Sequence, residues 1–394
     1  MSLESAVDPV ESPAKNPVEK TVETVRPMDV ASRLVRLRAL LEGAGLDALL
    51  VTNLVNVRYL TGFGGSAANL LVGSEEALLL TDGRYRTQAE EQVVASGLSG
   101  AVEIFVGKVP AQREELAATA SRTGAHRVGL EAENVTWGAE RRIAELLFGA
   151  ELVPTEGLVE RLREVKDEGE LDRMALAAAI ADAALGEVLG MLRAVPSEEE
   201  LALALDTAMR RLGAEDRAFD TIIASGPNSA KPHARPSSRP ITAGDWVVID
   251  FGATYDGYRS DMTRTFCVGG RPEGEMGRVF ETVARSQSAG VAAVRSGIEA
   301  GEVDRACRDL ISDAGWAELF EHGTGHGVGL DIHEAPTVSE GSTAILAPGC
   351  VVTVEPGVYL RGVGGVRIED TVVVTEEGCR TLTGFTKDPV VLAG

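Results

Sequence analysis

Apolar residues first recur at helical spacing after Ser32, where Leu34, Leu37, Leu40 and Leu41 predict a helix stopped by Gly43 and Gly45. The pattern then changes to short apolar runs. Ala48-Leu49-Leu50-Val51, Asn69-Leu70-Leu71-Val72 and Ala77-Leu78-Leu79-Leu80 each read as a strand. Helical stretches follow over 87–95 and 137–147. Strands alternating with helices predict a small α/β domain over residues 28–158. Leu162-Arg163-Glu164-Val165-Lys166 leads into a long amphipathic helix expected to end near Pro196, and a second unit, 159–394, begins just before it. Ser197-Glu198-Glu199-Glu200 is a capping box that opens the next helix. Ahead of both units, residues 1–27 carry Pro9, Pro13, Pro17 and Pro27 among Ser, Glu and Lys without apolar periodicity, which predicts a disordered arm.

The second unit contains a faint internal repeat. A helix pair leads to Gly244-Asp245-Trp246-Val247-Val248-Ile249-Asp250-Phe251-Gly252. A second pair, near 278–296 and 303–314, leads to Gly349-Cys350-Val351-Val352-Thr353-Val354-Glu355-Pro356-Gly357. Both read glycine, a variable residue, four apolar or β-branched positions, an acid, a spacer and glycine. Each copy later supplies a second acid, Asp261 or Glu369. Two such units packed about a pseudo-twofold axis would bring four carboxylates to one point. Like charges a few ångströms apart raise one another's pKa, so a cation is expected between them.

Composition narrows the partners. A chain of 394 residues is too long for one ordinary core and is expected to form two domains. Its formal net charge of −22 argues against binding nucleic acid or anionic membrane surfaces, and leaves carboxylates in excess for divalent cations. The most apolar stretch, 174–192, is interrupted by Asp182 and Glu187, so no membrane span is expected. The N-terminus lacks the basic patch and apolar run of a secretory signal. Cys267, Cys307, Cys350 and Cys379 lie far apart with no CxxC pair, which suggests reduced thiols and a cytoplasmic protein.

Three of the five histidines, His322, His326 and His333, fall in one glycine-rich segment, and His233 lies upstream. Glycine at that density means close backbone approach or unusual φ/ψ rather than a helix. Each acid alone has an ordinary structural explanation. Asp250 could begin a turn, Glu355 could cap something local, and Glu369 could pair with Arg367. The repeat makes such explanations poor when taken together. Two Asp, two Glu and one His form an oxygen-rich set that suits Mn²⁺, Co²⁺ or Fe²⁺ better than thiolate-type zinc.

At these residues the chain resembles a known family. Asp250-Phe251-Gly252, Gly257 to Phe266, His322 to His333, Glu355-Pro356-Gly357 and Arg367-Ile368-Glu369-Asp370 resemble the pita-bread metallopeptidases, and within them the Xaa-Pro group of aminopeptidase P and prolidase. Asn56 to Phe63 and Thr81 to Tyr85 resemble that group's N-terminal domain. The resemblance implies an α/β N-terminal domain followed by an α+β pita-bread domain with an internal pseudo-twofold repeat. It implies two divalent metal ions, Mn²⁺ first, with Co²⁺, Fe²⁺ and Zn²⁺ as alternatives. Asp250 would bind one ion, His326 and Glu355 the other, and Asp261 and Glu369 would bridge them. A hydroxide between the ions is the implied nucleophile and Glu355 its proton acceptor. His333 would steady the oxyanion, His233 would line the pocket, and His322 and Arg367 would lie around the proline ring and carboxyl end of the substrate. Arg367 has the alternative task of orienting Glu369.

The implied activity is release of an N-terminal residue from proline in short proline-containing peptides, by an Xaa-Pro aminopeptidase or alternatively a prolidase restricted to dipeptides. A homodimer or larger homo-oligomer is also implied. Three relatives offer competing readings. Methionine aminopeptidase needs no such α/β domain, creatinase works without metals, and a non-catalytic pita-bread binding module typically loses ligand positions.

Overall fold

The structure, a computed structural model, describes residues 25–270 and 273–389. The expected disordered arm lies outside the described residues up to position 24, but its last part is docked. The Arg26 guanidinium grips Asp172 with Nε 2.7 Å from Oδ2 and Nη2 2.6 Å from Oδ1.

In the first unit the helix Val30–Gly43 starts on Asp29, whose side chain caps Ser32 N, and buries Leu34, Leu37 and Leu41. Six strands form a mixed sheet in the order Glu103–Val106, Ala77–Thr81, Ala68–Gly73, Ala48–Val51, Arg127–Glu131 and Glu151–Thr155. The middle strands pair antiparallel, and those outside them add in parallel. The helices Arg86–Ala95 and Trp137–Leu146 lie close to where periodicity predicted them.

The long helix expected to end near Pro196 is the helix Glu168–Val188 continued by a 3₁₀ turn, Leu189–Ala194, and the residues leading into it form a separate short helix, Glu160–Glu164. The break has a local cause. Val165 is extended and bridges to Cys350, while Lys166 N donates to Gly349 O at 3.0 Å. Asp167 and Glu170 then form a capping box that restarts the helix. The segment Glu168–Ala194 is long and apolar enough to cross a membrane. In the fold, its Leu176, Ile180, Ala184 and Leu185 pack in a core cluster with Leu201, Leu205, Val247 and Ile249.

The second unit is the pseudo-twofold pita-bread fold. The helices Glu168–Val188 and Glu198–Arg211 precede the strand Trp246–Phe251, which pairs antiparallel with Ile222–Ser225 and Met262–Cys267. In the second copy Gly274–Ala293 and Ala300–Asp313 precede Val351–Val354, which pairs antiparallel with Gly325–Gly327 and Asp370–Val374. The copies meet along the strands that carry their second acids. Glu369 N donates to Thr263 O at 3.1 Å, and Thr371 Oγ1 donates to Asp261 O at 2.8 Å. The buried Arg264 ties the seam from behind, donating to the carbonyls of Thr263 and Glu369 and pairing with Asp370 at 2.9 Å.

The two units share a core in which Leu34, Leu37 and Leu60 pack with Leu171, Met174, Tyr258 and Leu330. At the junction the buried Arg163 donates to Asn56 Oδ1 at 2.8 Å, to Asp331 Oδ2 at 2.8 Å, and to Glu334. Burial pushes the Glu334 carboxyl up, but Lys166 and Arg163 hold it below its ordinary value. Arg163→Met should therefore leave a buried carboxylate short of its counter-charge and cost about 3 kcal/mol in urea unfolding. The sign of the pH dependence follows. Glu334 contributes its stabilisation above its unfolded value of 4.5 and loses it as pH falls through the lower folded value. The gap between wild type and variant should close on acidification. A gap that persists in acid would show that lost packing, not charge, sets the cost.

Candidate metal centre and substrate cavity

A cavity of about 570 Å³ opens at the seam between the two copies. Its wall includes Asp250, Asp261, His326, Glu355, Glu369, His233, His322, His333 and Arg367, so the fold brings all nine predicted residues to one place. Strand alternation explains how the acids get there. Ile249 and Phe251 face the core, so Asp250 between them faces the opposite side, across from Thr263. Asp261 lies just ahead of Met262–Cys267, and Glu355 just beyond Val351–Val354, where its N–H donates to Thr324 O at 2.7 Å. His326 is the middle residue of Gly325–Gly327. A Cβ at Gly325 would strike the Thr353 carbonyl, and one at Gly327 the Ala335 carbonyl, so the glycines here serve close approach.

Asp261, His326 and Glu369 offer ligand atoms within 4.8 Å of one another. His326 Nε2 is 3.3 Å from Glu355 Oε1 and 3.7 Å from Asp261 Oδ2. Its Nδ1 is 3.0 Å from Gly327 O and donates there, which leaves Nε2 as the ring nitrogen facing the acids. Two carboxylates are steered by one oxygen and left free at the other. Asp250 Oδ2 accepts from Arg367 Nη2 at 2.6 Å and Glu369 Oε2 from Thr263 Oγ1 at 2.7 Å, while Asp250 Oδ1 and Glu369 Oε1 are buried without a partner.

Burial, followed by repulsion from Glu369, Asp250 and Glu355, pushes the Asp261 carboxyl well above its ordinary value. Glu369 is raised likewise by burial, Glu355 and Asp250. Burial outweighs the pull of Arg367 and raises Asp250 as well. Glu355 is the exception. Burial pushes it up, but His326, through its hydrogen bond and charge, His322 and Arg367 bring it down to about 2. Orphaned carboxylate oxygens, mutual repulsion and an imidazole nitrogen facing them form a donor set that fits a divalent cation.

Arg367 makes no direct bond to Glu369 but reaches it through Thr263, whose Oγ1 accepts from Arg367 Nε at 3.1 Å and donates to Glu369 Oε2 at 2.7 Å. It is buried against Asp250, the Tyr359 hydroxyl at 2.8 Å, Thr263 Oγ1 at 3.1 Å and Pro232 O at 3.2 Å. The strand Gly364–Arg367 ends at this residue, so the two-residue alternation that would place Glu369 on the same face stops there. Of the histidines, His333 is exposed with its ring centroid 4.4 Å from that of His326, His233 is exposed, and His322 is half-buried. Sequence reading missed Tyr359, whose hydroxyl links Arg367 to His322 Nε2 at 2.9 Å. The available clue was a tyrosine four residues past Glu355, since a buried tyrosine hydroxyl normally finds a polar partner.

Fold and site together define a class, the two-domain pita-bread metallopeptidases. The chain belongs to metallopeptidase family M24, whose model matches residues 172–376, with the creatinase/prolidase N-terminal domain matching residues 33–165. It is similar to the peptidase YqhT of Bacillus subtilis, with 41% identity over 91% of this chain and 100% of the relative. Among solved structures, an Xaa-Pro dipeptidase from Bacillus anthracis superimposes with a TM-score of 0.88 at 39% identity, covering 92% of this chain and 100% of that one. An X-Pro aminopeptidase from Thermotoga maritima gives 0.81 at 35% identity, covering 88% and 98%. The protein is a metallo-exopeptidase of the Xaa-Pro dipeptidase and aminopeptidase group.

Proposed function

We propose that the protein hydrolyses the peptide bond between an N-terminal residue and proline, with two divalent ions, Mn²⁺ first, held by Asp250, Asp261, His326, Glu355 and Glu369. The observation that carries this reading is the pair of buried, unpartnered oxygens, Asp250 Oδ1 and Glu369 Oε1, at a site where His326 Nε2 also faces the acids. Asp261 and Glu369, one from each repeat, would hold the ions together with Asp250, His326 and Glu355. Divalent ions there would make bound water acidic and polarise the scissile carbonyl.

The chain's own groups do the rest. Glu355, ionised at neutral pH, accepts the proton of the attacking water, steadied by Thr353 Oγ1 at 3.1 Å. His333, whose pKa partial desolvation in the cavity wall and the neighbouring His326 lower, can donate to an oxyanion. His233 and His322 line the substrate pocket. Arg367 acts at one remove, by holding Asp250. An Xaa-Pro bond lacks an N–H and its ring fixes φ, so peptidases that bind that N–H turn it over poorly. We further place the division between the two units at residues 158/159, the first unit restricting access to short peptides.

The test is hydrolysis of an Xaa-Pro dipeptide, an Xaa-Pro-Yaa tripeptide and an Xaa-Ala control by metal-loaded enzyme. Cleavage of at least one proline substrate, well ahead of the control, is expected. A control cleaved as fast would overturn proline specificity.

A further inference from the structure

Two guanidiniums line the cavity, Arg367 and Arg235. The charge of Arg367 is already committed to Asp250 and its donors to Tyr359, Thr263 and Pro232. Arg235 has no hydrogen bond or ion pair to any group among the described residues, although the chain carries an excess of acids. Of the lining acids outside the proposed metal set, Asp220 is paired with Arg217 at 2.5 Å.

The segment that presents Arg235 is held firmly. Glu198, fully buried at the start of the helix Glu198–Arg211, uses Oε1 to accept from Ser225 N and Ser225 Oγ, both at 2.7 Å. Its Oε2 accepts from Ser237 N at 3.0 Å and Ser237 Oγ at 2.6 Å. Asn228 Nδ2 lies 3.2 Å from both oxygens. One carboxylate thus ties both ends of the segment 225–237, and beyond it Arg239 pairs with Asp245 at 2.7 Å. His233 and Arg235 are thereby presented from an anchored loop, which lowers the ordering cost of using them.

We propose that Arg235 is a specificity-determining residue that reads the free carboxylate of the substrate's proline, making Xaa-Pro dipeptides the preferred substrates. This rests on the Xaa-Pro reading above and deepens it. In a dipeptide the proline ends in a carboxylate, whereas in a longer peptide the same position is a neutral amide. With Arg367 committed to Asp250, Arg235 is the lining guanidinium left to meet that carboxylate, and a guanidinium fork matches carboxylate geometry.

The test compares an Xaa-Pro dipeptide with its C-terminal amide, on metal-loaded wild type and on Arg235→Gln and Arg235→Lys. Arg235 is exposed and makes no internal bond, so the substitutions spare the fold. Wild type should favour the free acid in kcat/KM by roughly tenfold, the scale of one hydrogen bond to a charged group. Arg235→Gln should bring the acid-to-amide ratio close to one, mainly through KM for the acid, and Arg235→Lys should keep part of it. A ratio unchanged in Arg235→Gln, or a wild type that prefers the amide, overturns the assignment of Arg235. A wild type that cleaves the Xaa-Pro-Yaa tripeptide but neither of these compounds overturns the assignment of Arg235, and one that cleaves none of the three overturns the Xaa-Pro reading itself.

Discussion

Stripping divalent cations with a chelator should abolish peptide hydrolysis, and adding back Mn²⁺ or Co²⁺ should restore it. The reason lies in the donor set. Asp250, Asp261, Glu355 and Glu369 line one cavity, and burial with mutual repulsion raises three of them. Only Asp250 has a guanidinium against its carboxylate, and only one of its two oxygens is engaged. Cations relieve that repulsion, so their removal should also cost stability. A metal present at a hundred times its Kd adds about 2.7 kcal/mol to a folded state that alone binds it. Elemental analysis, turnover and thermal melting should move together as metal is removed and returned. Full turnover by a preparation that elemental analysis shows to be metal-free would refute the metal centre.

Asp261→Asn and Glu369→Gln should each reduce turnover by at least ~10²–10³, the loss typical of removing one well-aimed transition-state group. Both substitutions keep shape and remove charge, so the fold should survive. Removing a desolvated charge from a like-charged cluster should leave the metal-free variants as stable as metal-free wild type, or more so. The metal-loaded variants should be less stable than loaded wild type. Activity lost with a parallel loss of metal-free stability would instead mark the acids as structural. The histidines sharpen the test. His326→Ala should lose metal together with activity, because Nε2 faces Asp261 and Glu355. His333→Ala should keep its metal and lose ~10²–10³ in kcat, as expected for a donor to a developing oxyanion. The reverse result would move the register of the whole motif.

Some of this molecule was legible without coordinates. Leu34, Leu37 and Leu41 are buried at the helical spacing that announced them, and the Ser197–Glu200 capping box forms as written. These features are local, with pattern and structure only a few residues apart. The internal repeat was legible because both copies obey the same strand alternation, with Asp250 and Glu355 at matching places. Other elements left weaker traces. The edge strand Glu103–Val106 is only partly buried, and such a strand carries little apolar pattern. The break at Val165 depends on Cys350, which lies far along the chain.

By itself, then, the sequence determined the period of each element, the matching acids of the two repeats and the glycine-rich histidine segment, because these depend on neighbours within a few residues. Only the tertiary structure decided what the side chains do to one another. It paired Arg367 directly with Asp250 and linked it to Glu369 only through Thr263, joined Tyr359 to His322, and left Asp250 Oδ1 and Glu369 Oε1 unpartnered. It also set Arg235, without a partner among the described residues, on a loop whose two ends Glu198 ties down. Hydrogen bonds and charges act over a few ångströms of space between residues that can be more than a hundred positions apart, as Asp250 and Arg367 are, and no local pattern records such pairings.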